Sequence, residues 1–237
     1  MRLSAPIYHL KRRAKQLARD KEIPLNKALN SIAKQEGFPS WSLLSAQASS
    51  NSHPAELLSQ INPGDLVLLG ARPGHGKTMM GLKLVLEAIK AGQRGVFFTL
   101  EYNEKEALER IQSIGGKQIA LDHDFQIDAS DEISADYVID RLSTAPYGTI
   151  AVIDYLQIMD QKRTKPELSE QITALKIFAK KSGVIFIFIS QIDRSFELSE
   201  KLLPELQDIR LPNPLDLQLF NKSCFLNNGK MQINILN

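Results

Sequence analysis

The sequence predicts an α/β fold built on a mainly parallel sheet flanked by helices, and three observations carry that expectation. Short runs rich in Val, Ile, Leu and Phe recur with helical patterns between them: Leu66-Val67-Leu68-Leu69, Val96 to Leu100, Thr149 to Ile153 and Val184 to Ile189. Uninterrupted apolar strands of this kind are buried on both faces, the environment of a parallel sheet covered by helices. A glycine-rich stretch, Ala71-Arg72-Pro73-Gly74-His75-Gly76-Lys77-Thr78, stands between the first strand and a helical pattern. Finally, Glu101, Asp154 and Gln191 each follow a strand closely, and parallel sheets gather ligands at that end.

In chain order, Ser4 is expected to cap a first helix with Pro6 in its opening turn. Ile7, Leu10, Ala14 and Leu17 share one side of that helix, while Lys11, Arg12, Arg13, Lys15 and Arg19 crowd elsewhere. Pro24 and Leu25 open a second helix with the stripe Leu25, Ala28, Leu29, Ile32 and Ala33, stopped by Gly37. Ser40 caps a short third helix carrying Trp41, Leu43 and Leu44. Residues 1–48 are therefore read as a small basic helical unit, and the Ser-, Ala- and Asn-rich region that follows makes 49–61 the linker. The remaining 62–237 form the main domain. After the Asn62-Pro63-Gly64-Asp65 turn come a strand at 66–70, a helix from Thr78 to Ala91 stopped by Gly92, and a strand from Gly95 to Leu100. A helix at about 103–113, a weak strand near Phe125 to Ile127 and a helix near 133–143 precede the Thr149–Asp154 strand. A helix at about 167–181 leads to the Val184–Ile189 strand, and Asn221 to Leu236 reads as a hairpin turning at Asn227-Asn228-Gly229.

With 43% hydrophobic residues in 237, the chain has material for one substantial core. Its longest wholly apolar run, Val184 to Ile189, falls far short of the roughly 20 residues of a spanning helix, and Met1 to Arg13 holds no apolar secretory segment. A globular protein without a membrane role is expected. Cys224 is the single cysteine, most simply a small hydrophobe, and the four His are scattered without zinc spacing, so the expected compartment is the reducing cytoplasm. Net charge is +2, but residues 1–50 carry nine Lys/Arg against three Asp/Glu, a balance of +6, which leaves −4 for the rest. An anionic partner for the N-terminal unit and a merely solvated helix face both fit that asymmetry.

The glycine-rich stretch has the spacing of a phosphate-binding loop. Amides of Gly74, His75, Gly76, Lys77 and Thr78 would converge at a helix N-terminus, where unpaired donors and the macrodipole favour a polyphosphate. Lys77 would reach the outer phosphates and the Thr78 hydroxyl would ligate Mg2+. Asp154 suits the same hard cation, Glu101 suits orienting and deprotonating a water, and Gln191 suits sensing the γ-phosphate through its amide. Any one of these three alone would more often be a turn or cap residue than a catalyst. Their succession behind a phosphate loop carries the inference. His75 is expected to supply only its backbone NH.

At these residues the chain resembles the C-terminal ATPase domain of DnaB-type replicative helicases, a RecA-like fold. The likeness runs from Asn62-Pro63-Gly64-Asp65-Leu66 through the loop to Phe97-Phe98-Thr99-Leu100-Glu101, Val152-Ile153-Asp154-Tyr155-Leu156-Gln157 and Ser190-Gln191-Ile192-Asp193-Arg194-Ser195, with a weaker echo at Leu206 to Arg210. It covers about residues 54–210. The resemblance implies an ATPase in which Ala71 to Thr78 bind ATP, Lys77, Glu101 and Gln191 act catalytically, and Thr78 and Asp154 hold Mg2+. It also implies a homo-oligomeric ring and single-stranded DNA held by channel loops. From position, those loops are 160–166, where Lys162, Arg163 and Lys165 would contact DNA, and 195–206. The 45-residue basic unit does not look like a shortened form of the family's N-terminal domain. No Lys-x-Arg finger segment is evident, and Arg194 and Arg210 are the arginines after Gln191. The expected function is thus Mg2+-dependent ATP binding and hydrolysis on DNA, with an ATP-binding regulatory switch or a DNA-associated accessory protein lacking helicase activity as the alternative.

Overall fold

The computed structural model describes residues 4–5, 7–50, 54–115, 124–160, 166–199, 201–211 and 213–237. Strands β1 (Leu66–Ala71), β2 (Gly95–Thr99), β3 (Phe125–Asp128), β4 (Ile150–Asp154), β5 (Ile185–Gln191), β6 (Lys222–Asn227) and β7 (Lys230–Ile235) join in one sheet, in the order β3-β2-β4-β5-β1-β6-β7. Every pairing is parallel except β6 with β7. The apolar runs are continuous because each strand feeds two cores. Leu66 and Leu68 of β1 pack with Val96, Phe98, Ile153, Phe186 and Phe188 on one face. Val67 and Leu69 pack with Phe97, Val152, Ile187 and Ile189 on the other.

Helices α4 (Pro54–Ser59), α5 (Lys77–Lys90) and α6 (Glu104–Ser113) cover the second face through Leu57, Leu84, Val85 and Ile111. Helices α7 (Ala135–Arg141) and α8 (Leu168–Ser182) cover the first through Val138, Ile172, Leu175 and Ala179. Local chemistry sets their ends. Asn103 and Glu106 form a capping box on α6, the Ser134 side chain accepts from the Tyr137 amide to start α7, and Gly183 ends α8 in the left-handed region. Part of the expected linker is structured: α4 occupies 54–59, with Leu57 and Ile61 buried in the main core. So short a helix, with Leu57 buried and Leu58 partly buried against the same core, leaves little periodicity to read.

The N-terminal segment forms α1 (Ile7–Asp20), α2 (Leu25–Gln35) and α3 (Trp41–Ser50) around a separate core of Leu10, Ala14, Ala28, Ile32, Ala33 and Leu44. Ser4 does not act as the expected cap; its amide and hydroxyl donate to the Glu36 carboxylate. Leu25, assigned to the α2 stripe, is 40% exposed. Ser40 does start α3, its hydroxyl accepting from the Leu43 amide at 3.3 Å.

The hairpin turns at Asn228 and Gly229, both with positive φ, as an Asn-Gly turn requires. What the hairpin signal does not contain is its attachment: β6 lies parallel to β1. Two polar contacts lock that edge. The Leu66 amide donates to Asn221 Oδ1 at 2.9 Å, and Lys222 Nζ pairs with the Asp65 carboxylate in a buried setting. Lys222→Met strands a buried carboxylate and is expected to destabilise the chain by about 3–5 kcal/mol, with Asp65→Asn in the same chain restoring most of the loss, read by urea unfolding. Burial pushes the Cys224 thiol, on β6, up to about 12. A maleimide at pH 8 should therefore leave native protein unlabelled and react after denaturation; native labelling at the rate of a free thiol would mean β6 is not docked.

Candidate functional site

The site lies where β1, β5, β4 and β2 end side by side. From β1 the chain crosses through α5 to β2, beyond β5 and β4, while β6 docks on the opposite flank of β1, so the sheet divides at the loop after β1. Gly74 and Gly76 have φ of 84° and 86°, a region that side-chain-bearing residues rarely adopt, and Gly76 serves as N-cap of α5 without a capping side chain. A second glycine sets the helix close to the sheet: a Cβ on Gly81 would lie 2.9 Å from Ile189 Cδ1 and 3.0 Å from Val152 Cγ1.

The sequence suggested five amides converging on the loop. The structure removes one, because the His75 NH donates to the Arg72 carbonyl at 3.1 Å and closes a turn. Among the described residues, the amides of Gly74, Gly76, Lys77 and Thr78 make no hydrogen bond. Four donors therefore stand at the α5 N-terminus without an acceptor from the chain. The His75 side chain has an unforeseen role, its Nδ1 accepting from the Asn228 amide of the hairpin turn at 3.3 Å. Burial first, and the neighbouring Arg72 second, lower its pKa to about 4, so the imidazole is neutral at pH 7.

Lys77 is buried and points between two carboxylates, with Nζ 3.6 Å from Glu101 Oε1 and 3.9 Å from Asp154 Oδ1. The two acids differ in environment. Glu101 lies two residues beyond β2, its amide held by Thr99 Oγ1 at 3.0 Å, and its side chain remains 31% exposed. Asp154 ends β4 in register with Thr99 and is fully buried. Neither Asp154 oxygen has a hydrogen-bond donor in bonding geometry among the described residues. Burial pushes its pKa up to about 6, against the pull of the Lys77 ammonium and the Thr78 hydroxyl, with the Glu101 charge adding to the rise. A buried carboxylate lacking donors, next to a lysine and the first helical hydroxyl, fits a hard divalent cation. Gln191 ends β5 opposite Ala71, half-buried, with its carbonyl accepting from the Arg210 amide at 2.8 Å.

Other contacts here escape sequence reading. The Arg72 guanidinium turns away from the loop, donating to Glu197 Oε1 from Nε at 2.9 Å and Nη2 at 2.7 Å, and to the Ile192 carbonyl at 2.8 Å. Glu197 belongs to a 3-10 turn, Arg194–Leu198, inside the second candidate channel loop, where Leu198 is 90% exposed. Nothing in the local pattern pairs residues 125 positions apart. Gln157 Nε2 donates to the Arg210 carbonyl at 2.8 Å, and Arg110 stacks 4.1 Å from the Tyr102 ring centre beside Glu101. The segment 206–210, the weakest part of the resemblance, pairs with the strand end through the Ile192–Ile209 bridge. The expected DNA contacts Lys162, Arg163 and Lys165 lie outside the described residues.

A family model described as the DnaB-like helicase C terminal domain matches residues 55–123 and 118–214, well over half of the chain. The Replicative DNA helicase DnaB of Leifsonia xyli subsp. xyli is 29% identical over 187 residues, which are 65% of this chain and 41% of that protein. That of Helicobacter pylori strain J99 is 30% identical over 184 residues, 64% of this chain and 38% of the relative. The chain thus spans about two-fifths of the length of these relatives. Among solved structures, a DnaB-like replicative helicase studied for its interactions with primase superposes with a TM-score of 0.59 at 19% identity, covering 92% of this chain and 66% of that one. A second solved structure, of an ATPase domain, gives 0.54 at 21% identity, with 69% of each chain covered. These superpositions show the RecA-like fold. The fold, the order of the motifs and the extent of the match together place this chain in the DnaB-like helicase C-terminal domain family.

Proposed function

We propose that this chain is a Mg2+-dependent ATPase of the DnaB helicase type that acts on DNA. The observation that carries the reading is the position of Lys77 between Glu101 and Asp154, beneath four amides free of acceptors. The amides and Lys77 would bind the β- and γ-phosphates. Thr78 and Asp154 would hold Mg2+, which when bound neutralises charge on the phosphate oxygens. Burial sorts the two acids. Glu101, the partly exposed one, can meet water, take its proton as oxygen bonds to the γ-phosphorus, and leave ADP as the β–γ bridging bond breaks. Asp154, fully buried, has no such access. Gln191 would contact the γ-phosphate, and its backbone pairs with both Ala71 and the 208–210 segment. The Arg72–Glu197 pair adds a second tie between the phosphate loop and the turn that follows. Hydrolysis would therefore be felt in the 195–206 segment, proposed to face single-stranded DNA in a ring of identical chains.

Turnover assays with fluorescent-nucleotide titrations test this reading. Glu101→Gln should lower kcat by about 10²–10⁴-fold while ATP affinity changes little, the signature of a lost general base. Lys77→Ala should weaken ATP binding by roughly 10–100-fold, the scale of hydrogen bonds from a charged donor. Wild-type protein that binds no nucleoside triphosphate in the presence of magnesium would overturn the proposal; binding without turnover would favour the switch. Glu197→Gln, which removes the 45%-exposed carboxylate but keeps an acceptor for Arg72, should shift stability by less than about 1 kcal/mol yet reduce the stimulation of turnover by single-stranded DNA. Undiminished stimulation in that variant would rule out the tie as a route of coupling.

A further inference from the structure

Helix α1 presents a row of cations that the ATPase reading does not use. Lys11, Lys15 and Arg19 recur every four residues, with Arg12 beside them, and all four are exposed. At ~1.5 Å per residue the row extends about 12 Å along the helix. No described carboxylate pairs with any of the four. Their neighbour Arg13, on the other flank, is by contrast within 3.9 Å of Glu36 and bonded to Gln35. We propose that the Lys11, Arg12, Lys15 and Arg19 face of α1 is a nucleic-acid contact that grips phosphodiester backbone independently of the nucleotide site.

Three physical arguments select this partner. A helix that lies on a membrane must insert its apolar face, but Leu10 and Ala14 of α1 are fully buried against Ala28, Ile32, Ala33 and Leu44. Protein interfaces centre on aromatic and apolar anchors and are depleted in lysine, whereas this face consists of long flexible cations without an apolar centre. Phosphodiester backbone, with its regular negative charge, is recognised by side chains of this kind, without dependence on base sequence. Because α1 is packed into the three-helix core, the backbone that carries the row needs no folding step on binding.

The test uses the full chain without nucleotide, so that it stands or falls separately from the ATPase proposal. Fluorescence anisotropy would follow short labelled duplex and single-stranded oligonucleotides across a salt series, comparing wild type with a chain carrying Lys11→Gln, Arg12→Gln, Lys15→Gln and Arg19→Gln. The variant should lose affinity by at least about tenfold at low salt, and its log K against log salt slope on duplex should become shallower by about 3.6, or about 0.9 for each of the four phosphate contacts removed. A chain with Arg12→Lys and Arg19→Lys keeps the charges and should retain most of the slope. Circular dichroism of the glutamine variant confirms that α1 is intact; should it unfold, single substitutions at the same positions, each expected to remove about one unit of slope, take its place. An unchanged slope and affinity on both oligonucleotides would overturn the proposal. Binding to phosphatidylserine vesicles that the variant loses, with oligonucleotide binding intact, would overturn it in favour of a lipid surface.

Discussion

The double burial of β1 is the constraint on which the main domain depends. Its six residues hydrogen-bond to β5 on one edge and to β6 on the other, and their side chains alternate between the two cores. Leu66, Val67, Leu68 and Leu69 are completely inaccessible to water. At about 1.5–3 kcal/mol for each such side chain, the four contribute on the order of the whole net stability of a typical domain, about 5–15 kcal/mol. A strand so placed must end inside the sheet instead of at its margin. The loop that follows opens at the centre of the rim, with strand ends on one flank delivering Gln191, Asp154 and Glu101.

The same placement sets the electrostatics. Asp154 sits on the strand adjoining β5 and deep within the sheet, whereas Glu101 stands two residues past the end of the next strand and reaches solvent. One carboxylate is therefore strongly desolvated and the other is not, although the sequence shows two acids behind two similar apolar runs. The loop itself is braced from two sides, through Arg72 to the turn after β5 and through His75 to the tip of the hairpin. Elements that follow β5 in the chain thus come to hold the first loop of the domain.

Elements with a dense local signal were legible. The alternation of apolar runs with helical patterns and the Asn228-Gly229 turn each depend on residues a few positions apart, and the structure has them where the pattern puts them. Helix α4 was missed because six residues with one buried position, Leu57, give little periodicity. Ser4 was misread because a serine ahead of a helix has the chemistry of a cap whether or not it finds a closer acceptor, and Glu36 is that acceptor. The identities of the candidate site residues followed from motif spacing. The loss of the His75 amide to Arg72 did not, since it depends on how tightly the loop turns.

Composition and order along the chain determined the fold class, the phosphate loop and the residues that end each strand, because these rest on local conformational preference and on whether a segment is buried on one face or two. Tertiary structure alone decided that β6 pairs parallel to β1 through Lys222 and Asp65, that Arg72 is committed to Glu197, and that Asp154 is buried where Glu101 is not. Each of these joins positions far apart in sequence, and desolvation and ion pairing are fixed by what surrounds a group in space, which no local pattern records.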